Sequence, residues 1–166
     1  MKNKLCTLLS FFLISTFFVI ILTSCDSQSS TKTVYLGEVA TNSKGVEFVV
    51  QSVRDTQQIG YYGTTENNFI IVTVKITNKG TESWSQNPNN CVLMLNDAEY
   101  EYSSNTFLLD DNMSSSNEIN PGLTKTMSIA FETPTKSTEN TYSIKLSGYS
   151  LWNDDSVTIV LTERPQ

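Results

Sequence analysis

Residues Asn68–Asn78 read NFIIVTVKITN, and this stretch decides the fold. Apolar and polar side chains alternate along it, so one face carries Ile70, Val72, Val74 and Ile76 and the other carries Thr73, Lys75 and Thr77. A period of two with many β-branched residues is typical of a half-buried β-strand. We therefore predict that this stretch is a central strand of a β-rich domain.

The same period of two recurs on both sides of this strand. Alternation is regular in Thr126–Phe131, Thr141–Leu146 and Val157–Leu161, and less regular apolar runs lie at Tyr35–Ala40, Val46–Val53, Cys91–Leu95 and Glu99–Tyr102. Loops rich in Gly, Pro, Asn and Ser join them, and no amphipathic helix is evident. We predict an all-β fold, an immunoglobulin-like sandwich of about eight antiparallel strands spanning residues 34–163. A closed barrel is the alternative.

The N-terminal segment has the pattern of a bacterial lipoprotein signal peptide. A basic start, MKNK, precedes an uncharged run of 18 residues, Leu5–Leu22, which is also long enough for an uncleaved membrane anchor. Leu22, Thr23 and Ser24 then lead into Cys25 as a lipobox, which favours the cleaved signal helix over the anchor. We predict that residues 1–24 are removed and that Cys25 carries a diacylglyceryl group.

This prediction places the mature protein on the extracytoplasmic face of a cell membrane, with the lipid bilayer as its partner through the acyl chains on Cys25. Residues 25–33 would form the lipidated Cys and a flexible Ser/Thr-rich tether, because Asp26–Thr33 (DSQSSTKT) contains no hydrophobic side chain. The sequence alone does not distinguish a single-membrane from a two-membrane bacterium.

Composition limits the chemistry available to the protein. The chain of 166 residues has no histidine, which removes Ser-His-Asp and Cys-His catalysis and most zinc sites. Its net charge of −6 disfavours nucleic acid as a partner, because an acidic surface repels phosphate. We predict neither an enzyme nor a cofactor or metal site.

Four aromatic residues are candidates for a binding surface: Tyr61, Tyr62, Trp84 and Trp152. The two tyrosines lie in Gln57–Asn67 (QQIGYYGTTEN), a predicted loop in which glycines flank them. Adjacent tyrosines on such a loop offer a large amphipathic contact area. The tryptophans fall outside clear alternation, so they could anchor a partner or, as we expect, cover the core.

Carboxylates and one thiol are the remaining candidates. Asp110, Asp111 and Glu118 form one acidic group and Asp154-Asp155 another, but neither spacing matches a Ca²⁺-binding loop, and solvated charge is the simpler interpretation. Cys91 is the only cysteine outside residues 1–25. It could be reactive, although a small buried hydrophobe is the commoner role.

The order of motifs resembles a known family. GVEFVVQSV, NFIIVTVKITNKGTES, LMLNDAEYEY and INPGLTKTMSIAFETP follow one another over about residues 35–162. This pattern resembles the bacterial extracellular immunoglobulin-like domain called telokin-like, which is related in fold to the immunoprotective extracellular protein. Asn78-Lys79-Gly80 matches its strand-ending motif, and Asn120-Pro121-Gly122 matches its turn before a strand that Pro134 ends. The resemblance implies a fold and no catalytic residues.

Together these features predict a membrane-anchored binding module for a protein, a peptide or a component of the cell envelope. Two alternatives remain at this point. The protein could be an accessory subunit of an envelope assembly that packs through a sheet edge and has no ligand of its own. It could also be a Ca²⁺-dependent adhesion domain.

Overall fold

A computed structural model describes residues 33–61, 63–114, 117–134, 141–148 and 155–165. All of them belong to one compact unit, Lys32–Gln166. The predicted signal peptide, the lipobox, Cys25 and all of the tether except Thr33 lie outside the described residues, as do Tyr62 and Trp152.

Within the described ranges the protein consists of eleven strands and two short 3₁₀ helices. The strands are Val34–Tyr35 (β1), Val39–Thr41 (β2), Val46–Ile59 (β3), Gly63–Asn78 (β4), Trp84–Gln86 (β5), Cys91–Leu95 (β6), Ala98–Glu101 (β7), Asn117–Ile119 (β8), Thr124–Thr133 (β9), Tyr142–Leu146 (β10) and Val157–Val160 (β11). The 3₁₀ helices are Pro88–Asn90 and Ser104–Leu108. No helix in these ranges has the length and apolar character needed to cross a bilayer.

The strands form two main sheets. One has the order β1-β11-β10-β6-β7, the other has the order β2-β3-β4-β9, and β5 and β8 pair separately. Every pair is antiparallel except β1 with β11. Apolar residues of both sheets share one buried cluster, which includes Phe48, Val72, Phe131, Leu93, Ile144 and Ile159. The predicted all-β sandwich is therefore confirmed.

The β3–β4 hairpin is the longest feature of the structure and defines its two ends. Pairing runs from Val46 opposite Asn78 to Ile59 opposite Gly63. We call the Ile59–Gly63 side the tip end and the Val46/Asn78 side the pinned end. The predicted loop Gln57–Asn67 is wrong, because most of it continues the two strands: β3 extends to Ile59 and β4 begins at Gly63.

Two further differences concern the number of strands. The predicted strand Tyr35–Ala40 is divided into β1 and β2 by a turn at Gly37, whose φ of 82° is left-handed. β5 and β8, three residues each, were not predicted because such short segments show no repeated alternation. The turn at Asn120–Gly122 is confirmed: Gly122 has φ 80°, and the Leu123 amide donates to the Asn120 carbonyl.

A second, smaller core lies on the outer side of the β3–β4–β9 sheet. Phe69 and Ile71 alternate with Ile70 and Val72, so their side chains leave the main core and point to the opposite face. They pack there with Ile59 and Ala130, and Leu108 and Leu109 cover the cluster. The segment containing the Ser104–Leu108 helix is thereby fixed near the tip end.

The described chain begins and ends at one shared contact. The Arg164 guanidinium donates to both carboxylate oxygens of Glu38, at 2.7 and 2.9 Å, and to the Thr33 carbonyl oxygen at 3.3 Å. Its Cζ lies 4.7 Å from the centroid of the Tyr35 ring. Arg164 thus joins the segment after β11 to both sides of β1.

Candidate functional site

The turn at the tip end exposes an aromatic ring. Tyr61 is 82% exposed. Gly60 precedes it with φ 60°, a conformation that favours glycine. A side-chain carbon at Gly63 would lie 2.7 Å from the Ile59 carbonyl oxygen, so only glycine fits there without a shift. The two glycines therefore close a tight turn that holds Tyr61 outward.

The turn rests directly against the Ser104–Leu108 helix. A carbon added at Gly60 would lie 3.7 Å from Leu108 Cβ, and one added at Gly63 would lie 2.8 Å from Leu108 Cδ1. Leu108 itself packs on the smaller core. The position of Tyr61 relative to this helix is thus set by packing on both sides of the turn.

The same helix presents a second exposed ring, Phe107, which is 68% exposed. The Ser103 side chain caps the helix by accepting from the Asn105 amide at 3.3 Å. Thr106 fixes it to β9, since its hydroxyl donates to the Ala130 carbonyl at 3.3 Å and accepts from the Ala130 amide at 3.0 Å. We call Tyr61, Phe107 and Leu108 the tip surface. Exposed rings on a fixed backbone suit contact with another macromolecule.

The pinned end is organised around Asn78, which is completely buried. Its amide nitrogen donates to the carbonyls of Glu82 and Ile119, both at 2.8 Å, and its amide oxygen accepts from the Gly80 amide at 2.9 Å. The Gly80 backbone in turn approaches Lys44 so closely that an added carbon would lie 2.3 Å from the Lys44 carbonyl oxygen. The predicted strand end at Asn78 is confirmed, and it joins three loops.

Trp84 lies in the core and not on a binding surface. The residue is only 7% exposed, and its ring meets Phe48 edge-on with centroids 5.9 Å apart. Its Nε1 donates to Gln86 Oε1 at 3.0 Å. Of the two roles that the sequence left open, Trp84 therefore has the expected one, that of a core residue, because its ring and its polar atom both have internal partners; its inclusion among the candidate binding residues is wrong. Of the four predicted aromatic residues, Tyr61 and Trp84 are described, and they do not form one surface, because only Tyr61 is exposed.

Cys91 is a buried free thiol next to this tryptophan. It accepts from Gln86 Nε2 at 3.3 Å and approaches Met113 Sδ at 3.5 Å. Burial raises its pKa to about 12, and the hydrogen bond from Gln86 lowers it by less. A thiol of this pKa is almost entirely protonated at neutral pH, so Cys91 has the expected character of a small buried hydrophobe.

A solvent-open cavity of about 530 Å³ lies at the pinned end. Its wall includes Ser43, Lys44, Glu82, Trp84, Gly148 and Asp155. Asp155 is buried, and the Ser43 hydroxyl donates to its carboxylate. The cavity offers hydroxyls, one ammonium group and carboxylates, which is a wall that could hold a small polar molecule.

Those acidic residues singled out in the sequence that the structure describes do not gather. Among the described residues, no three carboxylate or thiol groups converge to hold a metal ion. Asp97, Glu99 and Glu101 are exposed while Tyr100 and Tyr102 are half-buried, as the alternation predicts. Asp110 and Asp111 lie on the turn that follows the Ser104–Leu108 helix.

Sequence reasoning missed Phe107. No alternation marks it, since Ser104–Leu108 (SNTFL) is a short 3₁₀ helix within a polar connection. A signal was present in β4, where Phe69 and Ile71 put apolar side chains on the face opposite to the main core. A strand that is apolar on both faces requires a second covering segment, and Phe69 and Ile71 therefore indicated one.

Solved structures of similar fold come from several bacteria. The yjhA protein of Bacillus subtilis aligns with a TM-score of 0.57 and 19% identity over 78% of this chain and 99% of its own. The secreted protein MPT63 of Mycobacterium tuberculosis gives 0.55 and 14% over 79% and 96%. The "putative lipoprotein" ycdA of Bacillus subtilis gives 0.56 and 15% over 74% of this chain, which spans only 38% of ycdA.

The comparison with sequences is more decisive. Among curated proteins, none matches this sequence significantly. The model of a protein family described as a domain of unknown function, DUF4352, matches residues 35–157, which run from β1 to the first residue of β11. Because this match covers well over half of the sequence, the chain belongs to the DUF4352 family.

Proposed function

We propose that this protein is a lipid-anchored, extracytoplasmic interaction module that binds a protein or peptide of the cell envelope through its tip surface. The observation that carries the proposal is the pair of exposed rings, Tyr61 and Phe107, on a turn and a helix that pack against each other. Exposed aromatic residues are enriched among residues that dominate binding energy. The absence of histidine supports binding over catalysis.

The location rests on the sequence before the domain. Leu22-Thr23-Ser24-Cys25 closes an uncharged run as a lipobox does, and two acyl chains on Cys25 would suffice for stable anchoring. Among proteins of similar fold, one is described as a putative lipoprotein and one as secreted, which agrees with an extracytoplasmic location.

A second candidate function is that of an accessory subunit that pairs through a sheet edge. Beyond Val50, the outer edge of β3 has no partner strand among the described residues. Two register shifts, between Val50 and Ser52 and between Thr56 and Gln58, interrupt this edge. Irregularities of this kind hinder the addition of another strand, so we favour the tip surface.

The anchor is tested by metabolic labelling with a radioactive fatty acid in the cells that make the protein. We expect labelled protein from the native gene and none from Cys25→Ser, while Cys6→Ser, the matched control, stays labelled. Label retained in Cys25→Ser would contradict the lipobox assignment.

The binding surface is tested by replacing Tyr61, Phe107 or Leu123 individually with a photo-crosslinking phenylalanine analogue in intact cells. Leu123 is the matched control, because it is an apolar residue 53% exposed at the pinned end. We expect positions 61 and 107 to give the same protein adduct and position 123 to lack it. Equal adducts at all three positions, or none at 61 and 107, would overturn the proposal.

A further inference from the structure

We propose that the tip surface binds a basic polypeptide segment that carries an apolar or aromatic anchor residue. This inference rests on the proposed function, since it names the chemistry of the partner for the same surface. The two exposed rings supply the apolar contact, and the charges around them select the partner.

Acidic side chains are frequent on the elements that form the tip end. The outer parts of β3 and β4, the end of β9 and the turn after the Ser104–Leu108 helix carry five acids and a single base: Asp55, Glu66, Asp110, Asp111, Glu132 and Arg54. All six residues are exposed. The charged residues of this end are therefore mostly acidic, and an acidic surface attracts ammonium and guanidinium groups.

At least part of this charge is held in place. The Glu132 carboxylate accepts from the Thr65 hydroxyl and from Asn67 Nδ2, the latter at 3.3 Å, so β4 fixes its position. The Asp111 carbonyl accepts from the Ser128 amide at 2.6 Å, which ties the backbone of the Asp110–Asp111 turn to β9. Fixed charges lose less conformational entropy on binding than mobile ones.

The excess of acidic over basic residues is specific to this end of the hairpin. Around the pinned end the described residues carry four bases and four acids: Lys44, Lys75, Lys79, Lys125, Glu47, Glu82, Glu118 and Asp155. The net charge of −6 of the whole chain is therefore not distributed evenly between the two ends, and the excess of acids lies at the tip end.

This combination favours one class of macromolecule. Lys or Arg side chains of a partner could reach the carboxylates while an apolar side chain packs on Tyr61 and Phe107. An anionic lipid headgroup would also meet the exposed rings, but the carboxylates would repel it. We therefore favour a basic peptide segment over the membrane surface as the occupant.

The test uses the full-length protein in uncharged detergent micelles and a fluorescein-labelled peptide in which lysines alternate with Trp and Leu. We expect fluorescence anisotropy to show binding that weakens at least about tenfold when ionic strength rises from about 0.05 M to about 0.5 M. The same peptide with Glu in place of Lys should bind at least about tenfold more weakly.

Variants locate the effect. Asp110→Asn with Asp111→Asn should weaken binding of the Lys peptide at least about threefold. Glu66→Gln, a second variant that lies on β4 and not on the Asp110–Asp111 turn, should have the same effect. Glu82→Gln with Glu118→Gln, the matched control at the pinned end, should leave it unchanged. Circular dichroism checks that each variant is folded.

The outcomes separate the two proposals. Three results would overturn the basic-partner inference. The Lys and Glu peptides could bind equally well, or a tip variant could bind the Lys peptide as tightly as the control variant does. The protein could also bind phosphatidylglycerol vesicles more tightly than it binds the Lys peptide. If crosslinking at positions 61 and 107 succeeds while the Lys peptide fails to bind, only this inference is wrong. If crosslinking fails as well, both are wrong.

Discussion

The two ends of the β3–β4 hairpin differ in which side chains they bury and which they expose to solvent. At the pinned end, buried polar side chains such as Asn78 and Gln86 have internal partners, and loops are locked to one another through backbone groups. At the tip end, apolar rings face solvent and the charged residues of the neighbouring elements are mostly acidic. The first arrangement stabilises the fold, and the second offers a surface that can contact another molecule.

The comparison teaches where changes should matter. A buried polar group that loses its partner costs free energy of unfolding, whereas an exposed ring contributes little to the folded state. Substitutions at the pinned end should therefore change stability, and substitutions at the tip should change binding alone. Five experiments on stability and reactivity can break or sharpen this contrast.

The largest effect is expected at the thiol of the pinned end. With Cys6→Ser and Cys25→Ser, Cys91 is the only cysteine, and its pKa of about 12 against the usual 9.0 makes the thiolate about a thousandfold rarer at pH 8. We expect iodoacetamide to label it at least about a thousandfold more slowly in the folded protein than in urea. Rapid labelling without denaturant would show that this end opens readily.

The same thiol predicts a dependence of stability on pH. Because burial raises its pKa in the folded state, the folded protein keeps a proton that the unfolded chain loses. The contribution is complete below about pH 9, and the free energy of unfolding should fall as pH rises from about 9 towards 12. Replacing Cys91 with Ala should flatten this part of the curve.

Asn78→Ala should give the next largest effect. It leaves the Glu82 and Ile119 carbonyls and the Gly80 amide without their side-chain partner, and we expect a loss of about 3 kcal/mol in the free energy of unfolding. Urea unfolding followed by circular dichroism measures it. Gln57→Ala, a change at an exposed residue of β3 near the tip, is the control, with an expected change below about 0.5 kcal/mol. Equal losses would remove the distinction between the ends.

Gly148→Ala tests the packing around Trp84. The added carbon would lie 2.2 Å from Trp84 Cη2, which forces a shift of the ring or of the backbone. We expect a cost of about 2 kcal/mol. Phe lacks the second ring of the indole, so in a Trp84→Phe background the same change should cost about 1 kcal/mol less. Additive losses would show that the two residues are not in contact.

The smallest effect is expected at the tip. Tyr61→Ser with Phe107→Ser should change the free energy of unfolding by less than about 0.5 kcal/mol, because both rings are mostly in water in the folded state. Binding of the Lys peptide should nevertheless be lost. A large destabilisation would mean that these rings belong to the fold, and the tip would then resemble the pinned end.

Much of the fold could be predicted from short-range pattern. Alternation in β4, the Asn78-Lys79-Gly80 strand end and the Asn120-Pro121-Gly122 turn each depend on neighbouring residues, and all three are confirmed. Pro134 follows the last residue of β9, as its missing amide donor requires.

The tip surface could not be predicted in the same way, because it is created by contacts between distant segments. The glycines that flank the tyrosines suggested a loop over Gln57–Asn67, yet pairing across the hairpin makes most of this stretch part of two strands. Phe107 becomes exposed beside Tyr61 only because Leu108 packs on the smaller core. No property of SNTFL alone specifies that neighbour.

The contacts of Arg164 bear on how the domain would resist a pulling force. If Cys25 anchors the protein as proposed, any pull by a bound partner is transmitted through Thr33 into β1. Because β1 pairs with β11, the hydrogen bonds of this pair would share the load. Arg164 adds its contacts to Thr33, Tyr35 and Glu38 at the same place. The point where force would enter the domain would thus be held by more than one strand pair.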